Sequence, residues 1–143
     1  MKNFGNAQTR YITKTITLAD GQDAEDLKVF LAAYNPAAAN IYVYIKLLNG
    51  EDGQTIADKT WLQLTQSTSS TIVSDSENLN DFKEYEYAIP TASLTGASDE
   101  VQYTSGVVTY TGFKTFKIKI VLLSTSTTRV PRIKDFRAIA IQV

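Results

Sequence analysis

In the stretch IYVYIKLL, residues 41–48, apolar Ile41, Val43, Ile45 and Leu47 alternate with Tyr42, Tyr44 and Lys46. A period of two is the spacing of a pleated strand, whose successive side chains point to opposite faces; a helix would spread these positions around its axis. The same alternation returns in TFKIKIVLL, where Phe116, Ile118, Ile120 and Leu122 face one way and Lys117, Lys119, Val121 and Leu123 the other. In LKVFLAAY, Leu27, Val29 and Leu31 alternate with Lys28, Phe30 and Ala32, and in FKEYEYAIP, Tyr85 and Tyr87 alternate with Glu84 and Glu86. RYITKTITL is expected to set Ile12, Ile16 and Leu18 against Thr13, Thr15 and Thr17, and KTWLQLT to set Trp61 against Leu62 and Leu64. VQYTSGVVTYTG reads as a weak hairpin around Gly106, and a last apolar run extends from Ile133 to Val143.

The segments between these runs carry turn chemistry. ADGQDAED and NGEDG supply Gly and Asp, and Pro36 in NPAAAN lacks the N–H that a central ladder requires. TASLTGASDE and QSTSSTIVSDSENLND read as polar loops, the second with a short pairing at Ile72 and Val73. DAEDLKVFLAAY contains good helix formers, but Val29 and Phe30 suit a strand and both neighbouring segments are strands. Seven to nine strands at such intervals imply an all-β fold, an antiparallel β-sandwich of jelly-roll-like form with long polar loops. At 143 residues the chain is expected to form one sandwich domain over residues 10–143, preceded by an arm of residues 1–9. It closes on its two strongest strands, so its C-terminal end is expected to be tied into a sheet.

Composition narrows the chemistry. The chain has no His and no Cys, which removes Ser-His-Asp and Cys-His triads, thiolate metal sites and disulfides from what it can build alone. Its 14 basic and 15 acidic residues leave a net charge of −1, which provides no attraction to nucleic acid or to an anionic membrane. No apolar run approaches the ~20 residues of a spanning helix, and the first residues lack the apolar core of a secretory signal. An enzyme is not expected, nor a cofactor.

Three groups of residues remain as candidate sites. Asp20, Asp23 and Asp26, with Glu25, crowd one turn and have the oxygen chemistry of a weak Ca²⁺ site, although their spacing is not that of an EF-hand. Asp75, Glu77, Asp81, Glu84 and Glu86 contain carboxylates enough for glycoside chemistry, without a spacing that fixes a pair in a cleft. The aromatic residues Tyr42, Tyr44, Trp61, Tyr85 and Tyr87, with Tyr103 and Tyr110, suit a sugar-binding face or a protein interface, against the plainer alternative of packing. The last third of the chain is also locally basic through Lys114, Lys117, Lys119, Arg129, Arg132, Lys134 and Arg137. Acidic residues lie mostly between Asp20 and Glu100, an asymmetry that suits head-to-tail contacts between copies. The candidate interface residues are Arg132, Lys134, Arg137, Lys117 and Lys119; lysines on an edge strand would also serve as guards against unwanted pairing.

RYITKTITLADGQDAEDLKVFLAAYNPAAANIYVYIKLLN resembles a module of large virion structural proteins of contractile-tailed phages, notably those of marine cyanobacteria. FKTFKIKIVLLSTSTTRVPRIKDFRAIAI is similar to that module's ending and DFKEYEY to its middle, and DKTWLQL places a Trp between an acidic turn and a loop as the module does. The resemblance spans roughly residues 10 to 141 and contains no catalytic motif. It implies a virion part of the tail, baseplate or fibre apparatus, made in the host cytoplasm, whose partners are other virion proteins and copies of itself. The competing expectation is a carbohydrate-binding adhesin module that reads host-surface glycans.

Overall fold

A computed structural model of the chain describes residues 7–37, 39–67, 82–125 and 131–143. Its strands are β1 (Ala7–Ile12), β2 (Ile16–Thr17), β3 (Asp26–Tyr34), β4 (Ala39–Leu48), β5 (Leu62–Gln63), β6 (Thr65–Gln66), β7 (Lys83–Ala88), β8 (Gln102–Ser105), β9 (Val108–Thr111), β10 (Thr115–Ser124) and β11 (Arg132–Ile141). One sheet has the order β1-β10-β4-β5, with β2 also on β10; the second has the order β11-β3-β7-β6; β8 and β9 form a separate hairpin. Every pairing is antiparallel. The long strands β1, β3, β4, β7, β10 and β11 alternate between the sheets in chain order, the jelly-roll-like behaviour expected of this pattern.

The alternation in the sequence explains the core. Leu27, Val29 and Leu31 of β3 and Tyr85 and Tyr87 of β7 point from the second sheet toward Val43 and Ile45 of β4 and Ile118 and Ile120 of β10. Tyr87 solves the problem of a polar tip in an apolar layer, since its hydroxyl donates to the Ile41 carbonyl of the facing sheet at 3.2 Å. Leu64, buried between β5 and β6, donates its N–H to the Val43 carbonyl at 2.8 Å. The chain changes sheets there, so this corner closes one side of the sandwich. On the other side, between β1 and β11, an open slot of about 520 Å³ is lined by Tyr11, Ile120, Leu122, Ile133 and Phe136. Tyr11 and Phe136 meet edge to face across it, with centroids 5.9 Å apart. Lys134 is the extra residue of a bulge in β11, the edge strand of its sheet among the described residues.

RYITKTITL departs from expectation. Its ladder on β10 stops after Ile12 and resumes at Ile16. At the break Thr13 is buried, donating its N–H to the Ile118 carbonyl at 2.9 Å and accepting the Ile118 N–H on Oγ1 at 3.0 Å. Side-chain bonding of this kind competes with the regular ladder, and it turns Ile12 and Ile16 to solvent, 45% and 38% exposed. Ala7, Gln8 and Thr9, expected in an N-terminal arm, pair with β10. DAEDLKVFLAAY forms β3 and no helix. The pairing expected at Ile72 and Val73 lies outside the described residues. The β8–β9 hairpin turns at Gly106, whose φ of +65° suits glycine. Gly112, with φ +78°, is required for a second reason: a Cβ there would stand 2.8 Å from the Ala24 carbonyl oxygen.

Candidate functional site

With the apolar residues of β4 and β10 turned inward, their other residues form the outer face of the five-stranded sheet. Register places Lys117 directly opposite Lys46, Lys119 opposite Tyr44, and Val121 opposite Tyr42. On the far side of β10, Arg10 stands opposite Val121 and Ile12 opposite Lys119. Trp61, just ahead of β5, folds onto the same face from the loop. The Lys46 Nζ lies 4.9 Å from its ring centroid and the Lys119 Nζ 4.7 Å; Lys119 is also 4.6 Å from the Tyr44 ring. The ring quadrupoles attract the two ammonium groups and hold them in place. None of Arg10, Lys46, Lys117 and Lys119 pairs with a carboxylate among the described residues. Like charges directly opposite on a sheet repel, so among the described residues the Lys46–Lys117 pair is uncompensated.

The second sheet treats its charges differently. On its outer face Lys28 lies 3.6 Å from Glu86, and Arg137 donates to Glu84 at 2.9 Å with its guanidinium 4.9 Å above the Phe30 ring. The basic last third of the chain is therefore not one patch. Lys117 and Lys119 belong to one outer face, while Arg137 lies on the opposite one, where Glu84 occupies it. Lys134, at the bulge, is 5.7 Å from the Phe82 ring, and Arg132 begins β11. Glu84 and Glu86, expected as possible acids of a catalytic pair, are held in these ion pairs; Asp75, Glu77 and Asp81 lie outside the described residues, as does Arg129.

The glycan candidates also divide. Tyr85 and Tyr87 are 0% and 2% exposed in the core, so they offer no ring to a ligand. Tyr42, Tyr44 and Trp61 are half-buried on the cationic face, and ammonium groups already lie over the rings of Tyr44 and Trp61. Tyr103 and Tyr110 pair with each other in the β8–β9 hairpin, centroids 5.5 Å apart. The calcium candidates do not converge. Asp20 pairs with Lys114, which holds its carboxyl below the usual range through that hydrogen bond and charge. Asp26 accepts the Leu27 N–H at 2.8 Å. No three acidic residues among those described come together as a metal group.

A polar cluster that the sequence reading missed lies between NGEDG and the β8–β9 hairpin. Asp52 Oδ2 accepts from Lys59 Nζ at 2.7 Å and from the Tyr103 hydroxyl at 2.7 Å, while its Oδ1 accepts the Gln54 N–H at 2.9 Å. Gln54 Oε1 accepts from Lys59 at 2.6 Å and from the Ser105 hydroxyl at 3.1 Å; the Asn49 N–H donates to the Tyr103 oxygen at 2.8 Å. The Lys59 hydrogen bond, then the Gln54 N–H, then the Tyr103 hydroxyl lower the Asp52 pKa to about 2. Burial pushes the Tyr103 phenol well above its usual range. A cleft of about 410 Å³ opens beside the cluster, lined by Ile45, Leu62, Val101 and Ser93 among others. With three donors on one ionised carboxylate, the cluster ties the loop after β4 to the hairpin. Only its Asp52–Gln54 turn was open to recognition from sequence, as an Asp that accepts from the backbone two residues on. Lys59 and Tyr103 are brought to it by the fold.

Compared with protein-family models, with curated proteins and with solved structures, the chain matches none.

Proposed function

We propose that this chain is a non-enzymatic structural module of a phage virion, an assembly block of the tail, baseplate or fibre apparatus. The observation that carries this reading is the outer face of the five-stranded sheet: among the described residues Lys46 opposes Lys117 with no carboxylate against either, while the other outer face carries its own ion pairs. Such a face is built to meet negative charge supplied from outside the molecule. The resemblance of residues 10 to 141 to a virion module supplies the setting. The face offers less to sugars, since the rings that would stack on them hold lysines instead.

The test is to locate the chain in purified particles by mass spectrometry and by imaging of a labelled copy. The proposal expects a fixed copy number at a defined place in the particle. Particles that lack the chain would refute it. Within particles, Lys46→Glu combined with Lys117→Glu should reduce incorporation more than Arg132→Glu combined with Arg137→Glu, because only the first pair disrupts the open cationic face.

A further inference from the structure

We infer that the cationic face of one copy takes the acidic loop end of a second copy, so that the module joins to itself head to tail. This deepens the assembly reading and rests on it. The acidic end is formed by four loop segments held together where β3 starts and β4 finishes. The Val101 N–H donates to the Glu25 carbonyl at 2.9 Å, the Phe113 N–H donates to the Ala24 carbonyl at 2.8 Å, and the Asn49 side chain donates to the Thr111 carbonyl at 2.7 Å. Asp23 Oδ2 lies 3.6 Å from where a Cβ on Gly50 would stand, which brings the first of these loops against the second. The end presents Asp20, Asp23, Glu25, Glu51, Asp99 and Glu100. In residues 19–25, 49–53, 95–100 and 112–114 the sole cation is Lys114, and Asp20 occupies it.

Three observations favour a second copy over a polyanion. First, the net charge of −1 provides no long-range attraction to a polyanion, whereas segregated charge on one chain supplies both halves of a contact. Second, lysine ammonium groups already lie over the Tyr44 and Trp61 rings, which leaves less stacking surface for bases or sugar rings. Third, the rings fix Lys46 and Lys119 in place, and fixed point charges suit carboxylates presented on a loop. With strands ~4.8 Å apart, the face is smaller than the ~800 Å² per partner of a standard interface, so a single contact is weak. The face and the end are different surfaces. Each copy added therefore leaves one of each free, and association continues beyond a pair.

Sedimentation of the full chain over a range of protein concentrations tests this at ~0.01 M and ~1 M salt, where the screening length is ~30 Å and ~3 Å. The expected result is association beyond a dimer at low salt, with an association constant at least ~tenfold smaller at high salt. A chain with Lys46→Glu, Lys117→Glu and Lys119→Glu should be monomeric, as should one with Asp23→Lys, Glu51→Lys and Glu100→Lys. An equal mixture of the two should associate again, because each supplies the charge the other has lost. Glutamine at the three lysines serves as a second variant; it should stay folded, with at most a small loss from its ring contacts, and still associate more weakly. The inference is overturned by a wild-type chain that stays monomeric, by association that stops at a two-fold dimer, by glutamate or glutamine variants that associate like wild type, or by a mixture that fails to recover. A monomeric chain that is nevertheless found in particles would overturn this contact and leave the virion role standing. A chain that associates as described but is missing from particles would do the reverse.

Discussion

The two outer faces of the sandwich are built from the same kind of strand, yet they handle charge in opposite ways. On the β3–β7–β11 sheet, Lys28 meets Glu86 and Arg137 meets Glu84, while Phe30 lies under the Arg137 guanidinium. On the β4–β10 sheet, Lys46 faces Lys117 and Lys119 is held by the Tyr44 and Trp61 rings, with no carboxylate among the described residues to offset them. Exposed ion pairs contribute only ~0.2–1 kcal/mol each, so the contrast is a small matter for stability. Its larger consequence is for partner choice, since among the described residues one face has satisfied its charges and the other has not.

The largest effect that would break this contrast concerns whether the cationic face is an outer face at all. Ile118→Ala should cost ~2–5 kcal/mol in chemical unfolding, by lost burial and a cavity in the core. Lys119→Ala, the next residue on the strand, should cost under ~1 kcal/mol, chiefly its ring contacts. Equal losses would mean that a covered layer lies over Lys119. The polar cluster at Asp52 then separates the sheets from the loops they carry. Its carboxyl pKa is lowered from 3.8 to about 2 in the folded chain, so its contribution is complete above the unfolded value and is lost as pH falls through the folded one. Melting temperatures of wild type and Asp52→Asn should differ by a constant amount above pH 3.8 and converge toward about pH 2. A gap that does not close on acidification would show that the carboxylate charge is not what ties the loop to the hairpin. The smallest effect is the most specific to the comparison. Lys117→Glu places an acid opposite Lys46 and should stabilise the isolated chain by ~0.2–1 kcal/mol, whereas Glu84→Gln on the neutral face should destabilise it by a similar or smaller amount. Two changes of the same sign would remove the distinction between the faces.

How much of this was legible in the sequence depended on how local the determinant is. β4 and β10 were readable because each residue's face follows from its immediate neighbours. The split of RYITKTITL was not, because Thr13 bonds to Ile118, 105 residues away. Alternation separates two faces without saying which is inside. Tyr85 and Tyr87 could therefore be offered as ligand-binding rings, although Glu84 and Glu86 opposite them were the better sign that the tyrosines point inward. The candidate site was legible in parts only. Lys117, Lys119, Tyr42 and Tyr44 were each assigned to the faces opposite the apolar residues. Their meeting required the β4–β10 register, and Trp61 joins them from a loop. Arg132, Lys134 and Arg137 are close to Lys117 and Lys119 in sequence alone, because β10 and β11 lie in different sheets.

The most direct test of the open cationic face and of the proposed virion role together is amine-reactive labelling read by mass spectrometry, comparing the free chain with the chain in purified particles. Lys46, Lys117 and Lys119 should lose reactivity on assembly, while Lys28, whose side chain is 41% exposed on the neutralised face, should keep its own. Protection of Lys28 with unchanged labelling of the three face lysines would contradict the account.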